Sequence, residues 1–262
     1  MSGETIRLAQ FASRLRFEDL PASAIQRAKD SIIDTIATIV FGRSLPWSGM
    51  IVAYVRRVGD GGRSHILGDG ERPVVAPYAA LANGALAHAF ELDGAVRPSA
   101  GAHPGATVLT AALATAQERG LSGRALLTAF VAGAEVMIRI GRATKHSNET
   151  RGFHAPGTTG PFGAAVACGH LMGFDTERMT NALGIAGSLS SGLVEFARSG
   201  TGAMVKRLHF GRAAEGGVLA QTWRLTASPD RRPCSRAIAA FSKSTATNGM
   251  SLSSRAALAR PG

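Results

Sequence analysis

Two histidines and two carboxylates are crowded into residues 82–105, ANGALAHAFELDGAVRPSAGAHPG. These are the residue types that move protons near neutral pH: a histidine titrates there, and a carboxylate within hydrogen-bond reach fixes its tautomer and raises its basicity. Glu91 and Asp93 fall where a run rich in Ala and Leu, residues 76–90, gives way to Gly94, Pro98, Gly101 and Pro104. Those four residues forbid helix continuation. The spacing predicts a helix that ends at the acidic pair, a loop, and His103 returning just before the next helix. Spacing alone does not choose between acid/base chemistry and a solvated helix end that carries a structural histidine.

Two later stretches add candidates. His154 stands at the mouth of RGFHAPGTTGPFGAA, which reads as a Pro/Gly/Thr loop over residues 151–160 followed by a buried helix from Pro161. Neither GxGxxG nor a terminal GK[ST] is present, which argues against a nucleotide loop. A helix N-terminus reached through Gly157, Thr158, Thr159 and Gly160 can still bind a carboxylate through free N–H groups. A packed loop histidine is the plain alternative for His154. In MVKRLHFGRAAEGG, Lys206, Arg207, His209 and Arg212 gather at the start of a helix, where cations oppose the macrodipole. A bound polycarboxylate would justify them; a solvated face is the ordinary explanation.

The elements that must position these groups are helical. Leu8, Phe11, Ala12 and Leu15 follow the i, i+3, i+4, i+7 rule, as do Ile25, Ala28, Ile32, Ile33 and Ile36 in a helix that Pro21 opens and Gly42 closes. A third helix covers residues 47–58, and SHILGDGERPVV is the one extended stretch of the first half. Residues 106–119 and 123–143 form a helical hairpin, with Gly120 ending the first helix and Ser122 capping the second. Glu135 and Arg139 pair across one turn. Asp175 or Thr176 caps the next helix, before the Gly/Ser-rich turn SLSSGLVEFARSGTG.

With 262 residues, 45% of them hydrophobic and only 6% aromatic, the chain suits close-packed helices with small contact residues. No run approaches eighteen uninterrupted apolar residues and no signal pattern opens the chain, so a soluble cytoplasmic protein without membrane contact is expected. Cys168 and Cys234 lie far apart without metal-type spacing, which supports neither a disulfide framework nor a zinc site. The formal charge of +11 is uneven. Residues 221–262 hold an excess of six basic residues, leaving +5 on residues 1–220, a balance that suits anionic small molecules at least as well as nucleic acid.

Seven segments, in order, resemble one family: AKDSIIDTIATIVFG, AALANGALAHAFELDG, AHPGATVLTAALATAQERGLSG, LLTAFVAGAEVMIRIGRA, RGFHAPGTTGPFGAA, NALGIAGSLSSGL and MVKRLHFGRAAEGG. Together, over about residues 5–220, they are similar to the MmgE/PrpD proteins, which include 2-methylcitrate dehydratase, cis-aconitate decarboxylase and iminodisuccinate epimerase. The resemblance implies an all-α domain over residues 1–220, no metal or other cofactor, often a homodimer, and a second, smaller α+β lid domain further on. The implied chemistry moves a proton at a carbon beside a carboxylate of a small polycarboxylic acid, with loss of water, loss of carbon dioxide or inversion. The implied roles are His103 as acid/base, His154 as a second proton carrier or substrate contact, and Lys206 as partner of a substrate carboxylate. Glu91, Asp93, Arg207 and His209 are the accompanying substrate-binding candidates. The family's DFDD pattern is here ELDG, and Ala95 follows where a hydroxyl residue is common.

After residue 220 helical periodicity fades and Arg, Ser and Pro dominate, so residues 221–262 read as a basic tail of low order. A one-base slip of reading frame gives the composition a cause: codons permitted by residues 221–241 then spell DLAADGFTGPTTVLEGDCGF, which resembles the family's continuation into its lid. A chain without that lid is expected to turn over little, because an open cleft is screened by water. The contrasting expectation is a non-enzymatic binding module whose basic tail engages nucleic acid or an acidic partner.

Overall fold

The structure is a computed structural model, and it describes residues 3–70, 72–198 and 204–226. Helix α1 (Glu4–Arg14) buries Ala9 and Ala12 completely, with Leu8, Phe11 and Leu15 packed on the same cluster, as its periodicity demands. Helix α2 (Ala22–Arg43) opens directly after Pro21. It does not close at Gly42. That residue lies inside the last turn, where a Cβ would fall 2.1 Å from the Leu86 carbonyl oxygen, so the glycine serves close packing. Ile25, Ala28 and Ile32 join the core, whereas Ile33 and Ile36 are 67% and 38% exposed. The apolar stripe of α2 is wider than the face the core uses.

Helix α3 (Ser48–Val58) leads into β1 (Asp60–Ser64), the single strand among the described residues. The extended segment thus begins earlier than SHILGDGERPVV suggests: Asp60 and Ser64 each bridge to Val74. The rest is helical: α4 (Ala76–Ala87), a π-helical turn (Gly105–Leu109) continuing into α5 (Thr110–Arg119), α6 (Gly123–Thr144), α7 (Ser147–Thr150), α8 (Ala155–Leu171), α9 (Thr176–Ser188) and α10 (Met204–Thr226). The fold is all-α. Gly120 ends α5 in the left-handed region at φ 63°, Ser122 Oγ accepts from the Ala125 N–H, and Asp175 accepts from the Arg178 N–H at 2.8 Å. Arg139 and Glu135 pair across one turn of α6.

Helix α8 starts six residues before Pro161, so residues 155–160 are helix and not loop. Pro161 lacks the N–H that would bond to the Gly157 carbonyl, and that acceptor is taken instead by the Ser191 N–H at 3.1 Å. A contact distant in sequence therefore rescues the helix. Helices α4 and α8 each pack against α10 at the centre of the molecule. At the α4–α10 crossing a Cβ on Gly84 would fall 2.9 Å from the Gly211 Cα, and one on Gly211 would fall 2.2 Å from the Leu81 carbonyl oxygen. Two glycines thus let the backbones touch.

Helix α10 runs to Thr226, past the boundary expected at residue 220, and Gln221 is buried. The basic tail and its proposed change of frame otherwise lie outside the described residues. Among the described residues no single helix is long and apolar enough to cross a membrane.

Candidate active site

The C-terminus of α4, the loop after it, the N-terminus of α8 and the first turns of α10 converge on Phe210, which is fully buried. The Gly84–Gly211 crossing explains the first approach. It brings His88, the C-cap of α4, flat against Phe210 with ring centroids 3.6 Å apart and planes at 18°. Gly101 explains the second: at φ 60° it presses so closely on α8 that a Cβ would fall 2.4 Å from the Ala155 carbonyl carbon. The loop is thereby folded onto the start of α8. His103 then meets Phe210 edge-on at 5.2 Å, and His154, the N-cap of α8, does so at 5.8 Å.

Asp93 sits between two of these rings. Its side chain is fully buried and accepts from His88 Nδ1 at 2.6 Å and from His103 Nδ1 at 2.9 Å. Burial pushes the carboxyl pKa up, but the hydrogen bonds from His103 and His88 outweigh it and hold Asp93 at about 2. An ionised carboxylate only accepts, so both rings carry their proton on Nδ1. In a neutral ring held this way Nε2 is the lone-pair nitrogen. For His88 that atom is buried with no hydrogen-bond partner, and burial drives the ring's pKa down against the pull of Asp93. His103, with a side chain 21% exposed, keeps the Nε2 that remains for proton transfer.

A second pair has no carboxylate. His154 Nδ1 and His209 Nδ1 are 3.0 Å apart, with Phe196 edge-on to both rings. Burial, then the neighbouring His209, push His154 down to about 3, and burial also lowers His209. One ring donates and the other accepts, and both are neutral at neutral pH.

Lys206, Arg207 and Arg212, the cations in the first turns of α10, each have a partner. Lys206 forms a hydrogen-bonded ion pair with Glu91, and that bond lowers the Glu91 pKa. Arg207 Nε donates to the Ala89 carbonyl at 2.6 Å, and its guanidinium lies 5.1 Å from the Trp47 ring, beside an apolar cavity of about 350 Å³ that contains none of the histidines. Arg212 pairs with Glu215. These partners answer the unfavourable macrodipole placement without any ligand.

Of the candidates named from sequence, Asp93 and His103 share one hydrogen bond, His154 and His209 share another, and Lys206 and Glu91 form the ion pair. Arg207 is turned to Ala89 and Trp47. Among the two histidines counted in residues 82–105, the one to which sequence reasoning gave no role is His88. Its signal was a histidine five residues before an acid across a helix end, a spacing that requires the turn geometry to become a contact. The ligand atoms of His88, Asp93 and His103 lie within 4.8 Å of one another, close enough to hold a cation. Two imidazole N–H groups already satisfy both Asp93 oxygens, which fits a proton relay.

Residues 6–223 match the MmgE/PrpD N-terminal domain. Cis-aconitate decarboxylase of Aspergillus terreus is 34% identical over 226 residues, covering 83% of this chain and 45% of that protein. The cis-aconitate decarboxylase-like protein oryM of Aspergillus oryzae is 31% identical over 223 residues, with 82% and 45% covered. Human cis-aconitate decarboxylase is 31% identical over 209 residues, with 78% and 42% covered. The chain thus spans less than half the length of these relatives. A match to the domain family over most of its residues, joined to the helical fold described above, makes this chain a member of the MmgE/PrpD family.

Proposed function

We propose that the protein moves a proton at a carbon beside a carboxylate of a small polycarboxylic acid, with His103 as the acid/base and no cofactor. The observation that carries this reading is the buried, ionised Asp93 gripping His103 Nδ1 at 2.9 Å. That bond sets the ring so that Nε2 takes or delivers the proton. Lys206 supplies the positive charge that stabilises the electron pair building next to the substrate carboxylate. The relatives' name supports decarboxylation first: the bond to the leaving carboxylate breaks, its electron pair passes into the adjoining unsaturated carbons, and protonated His103 delivers a proton where the pair ends. Dehydration and epimerisation start with the reverse step: neutral His103 takes the proton from the carbon, and the electron pair then expels a hydroxyl that leaves as water with that proton, or is reprotonated on the opposite face. His154 and His209, neutral and bonded to each other, serve as hydrogen-bonding contacts for the substrate.

The homodimer that the resemblance implies is part of the proposal. The test is long incubation with cis-aconitate in deuterated water, followed by NMR. We expect deuterium incorporation or carbon dioxide loss that disappears in His103→Gln; a wild-type rate equal to that of the variant contradicts the reading.

A further inference from the structure

The Glu91–Lys206 pair is built in an unusual way. Glu91 has φ 60°, a left-handed conformation that disfavours any residue with a side chain. The turn that imposes it is tied at both ends. The Glu91 N–H bonds to the His88 carbonyl at 3.2 Å, while Arg207 and Trp47 Nε1 both donate to the Ala89 carbonyl, at 2.6 and 3.2 Å. This strained turn holds a carboxylate on the ammonium whose charge also reaches His88 and His154. Glu91 is 44% exposed in its side chain and Lys206 21%, so the pair is accessible and weakly held.

We propose that Glu91 stands in for a substrate carboxylate, occupying Lys206 in the empty site and yielding it only to a ligand whose several carboxylates together outcompete one. The inference rests on the polycarboxylate reading above and adds a specificity device to it. A monocarboxylate gains at Lys206 what Glu91 loses and is held off. A ligand with two or three carboxylates makes further contacts and displaces Glu91 towards solvent. A tethered competitor reduces apparent affinity by the fraction of time it leaves Lys206 free.

The experiment is calorimetric titration of the full chain with cis-aconitate and, separately, with propionate, for wild type, Glu91→Gln, Glu91→Gly and Lys206→Met. Glu91→Gln removes the charge alone; Glu91→Gly also relieves the left-handed backbone, so the two variants separate competition from strain. We expect both to bind cis-aconitate about five-fold more tightly than wild type and to gain measurable affinity for propionate, with Lys206→Met weaker for cis-aconitate and showing no heat of binding with propionate. Equal or weaker cis-aconitate binding by Glu91→Gln, with wild type still binding, overturns the stand-in role and leaves the polycarboxylate site standing. Absence of cis-aconitate binding in all four proteins overturns both.

Discussion

Three histidines press on one phenylalanine, yet the two pairs to which they belong handle protons in opposite ways. His88 and His103 share Asp93, which is ionised and fixes each ring with its proton on Nδ1. His154 and His209 share only each other, and burial without a counter-charge holds His154 down to about 3. One carboxylate is the difference. In a dry pocket a histidine becomes useful for proton transfer only where a fixed negative charge compensates its imidazolium, and without one it is confined to neutral hydrogen bonding.

The most severe break of this contrast is Asp93→Asn. An amide offers one acceptor oxygen to two imidazole N–H groups, so one ring loses its partner or changes tautomer. Proton transfer to cis-aconitate should fall by at least about 10²-fold. The same variant tests acid stability. The folded pKa of Asp93 is depressed from 3.8 to about 2, so its contribution is present above pH 3.8 and lost as pH falls towards 2. That contribution is about 2 kcal/mol, and urea unfolding between pH 7 and 2.5 should show it in wild type and not in Asp93→Asn.

The converse experiment gives the second pair the carboxylate it lacks. In His209→Asp, the His154 pKa should rise from about 3 to at least its ordinary 6.5, read by NMR titration of the ring. Wild type should lose stability as pH drops from 6.5 to 3, because the unfolded chain takes a proton that folded His154 refuses. In the variant that part of the loss should vanish. A smaller effect is expected from His88→Phe, which keeps an aromatic ring on Phe210 and removes the 2.6 Å bond to Asp93. Asp93 should then titrate higher and turnover should drop about ten-fold; unchanged values for both would limit His88 to packing.

Most of the helices were legible in sequence because their signals are local. Periodicity in α1, the left-handed Gly120, and the Ser122 and Asp175 caps each act within a turn of themselves. The errors share a cause as well. Pro161 is tolerated inside α8 because Ser191 supplies the missing hydrogen bond, and Gly42 packs on Leu86 instead of ending its helix. Both depend on partners thirty or more residues away. In the site, His103, Asp93 and Lys206 were legible as residue types at helix ends. The pairing of Asp93 with His88, of His154 with His209 and of Lys206 with Glu91 was not. Those contacts follow from the Gly84–Gly211 crossing and the Gly101 approach, which set where the three helix ends meet.

The central claim is that Asp93 prepares His103, and the most direct test is a long-range nitrogen–proton correlation spectrum of the histidine side chains at neutral pH, with and without cis-aconitate. The account predicts that His88 and His103 are both protonated on Nδ1, that His154 is neutral, and that the ligand perturbs His103 Nε2 most. A His103 ring with Nδ1 unprotonated and its single proton on Nε2, or one unmoved by the ligand, would contradict it.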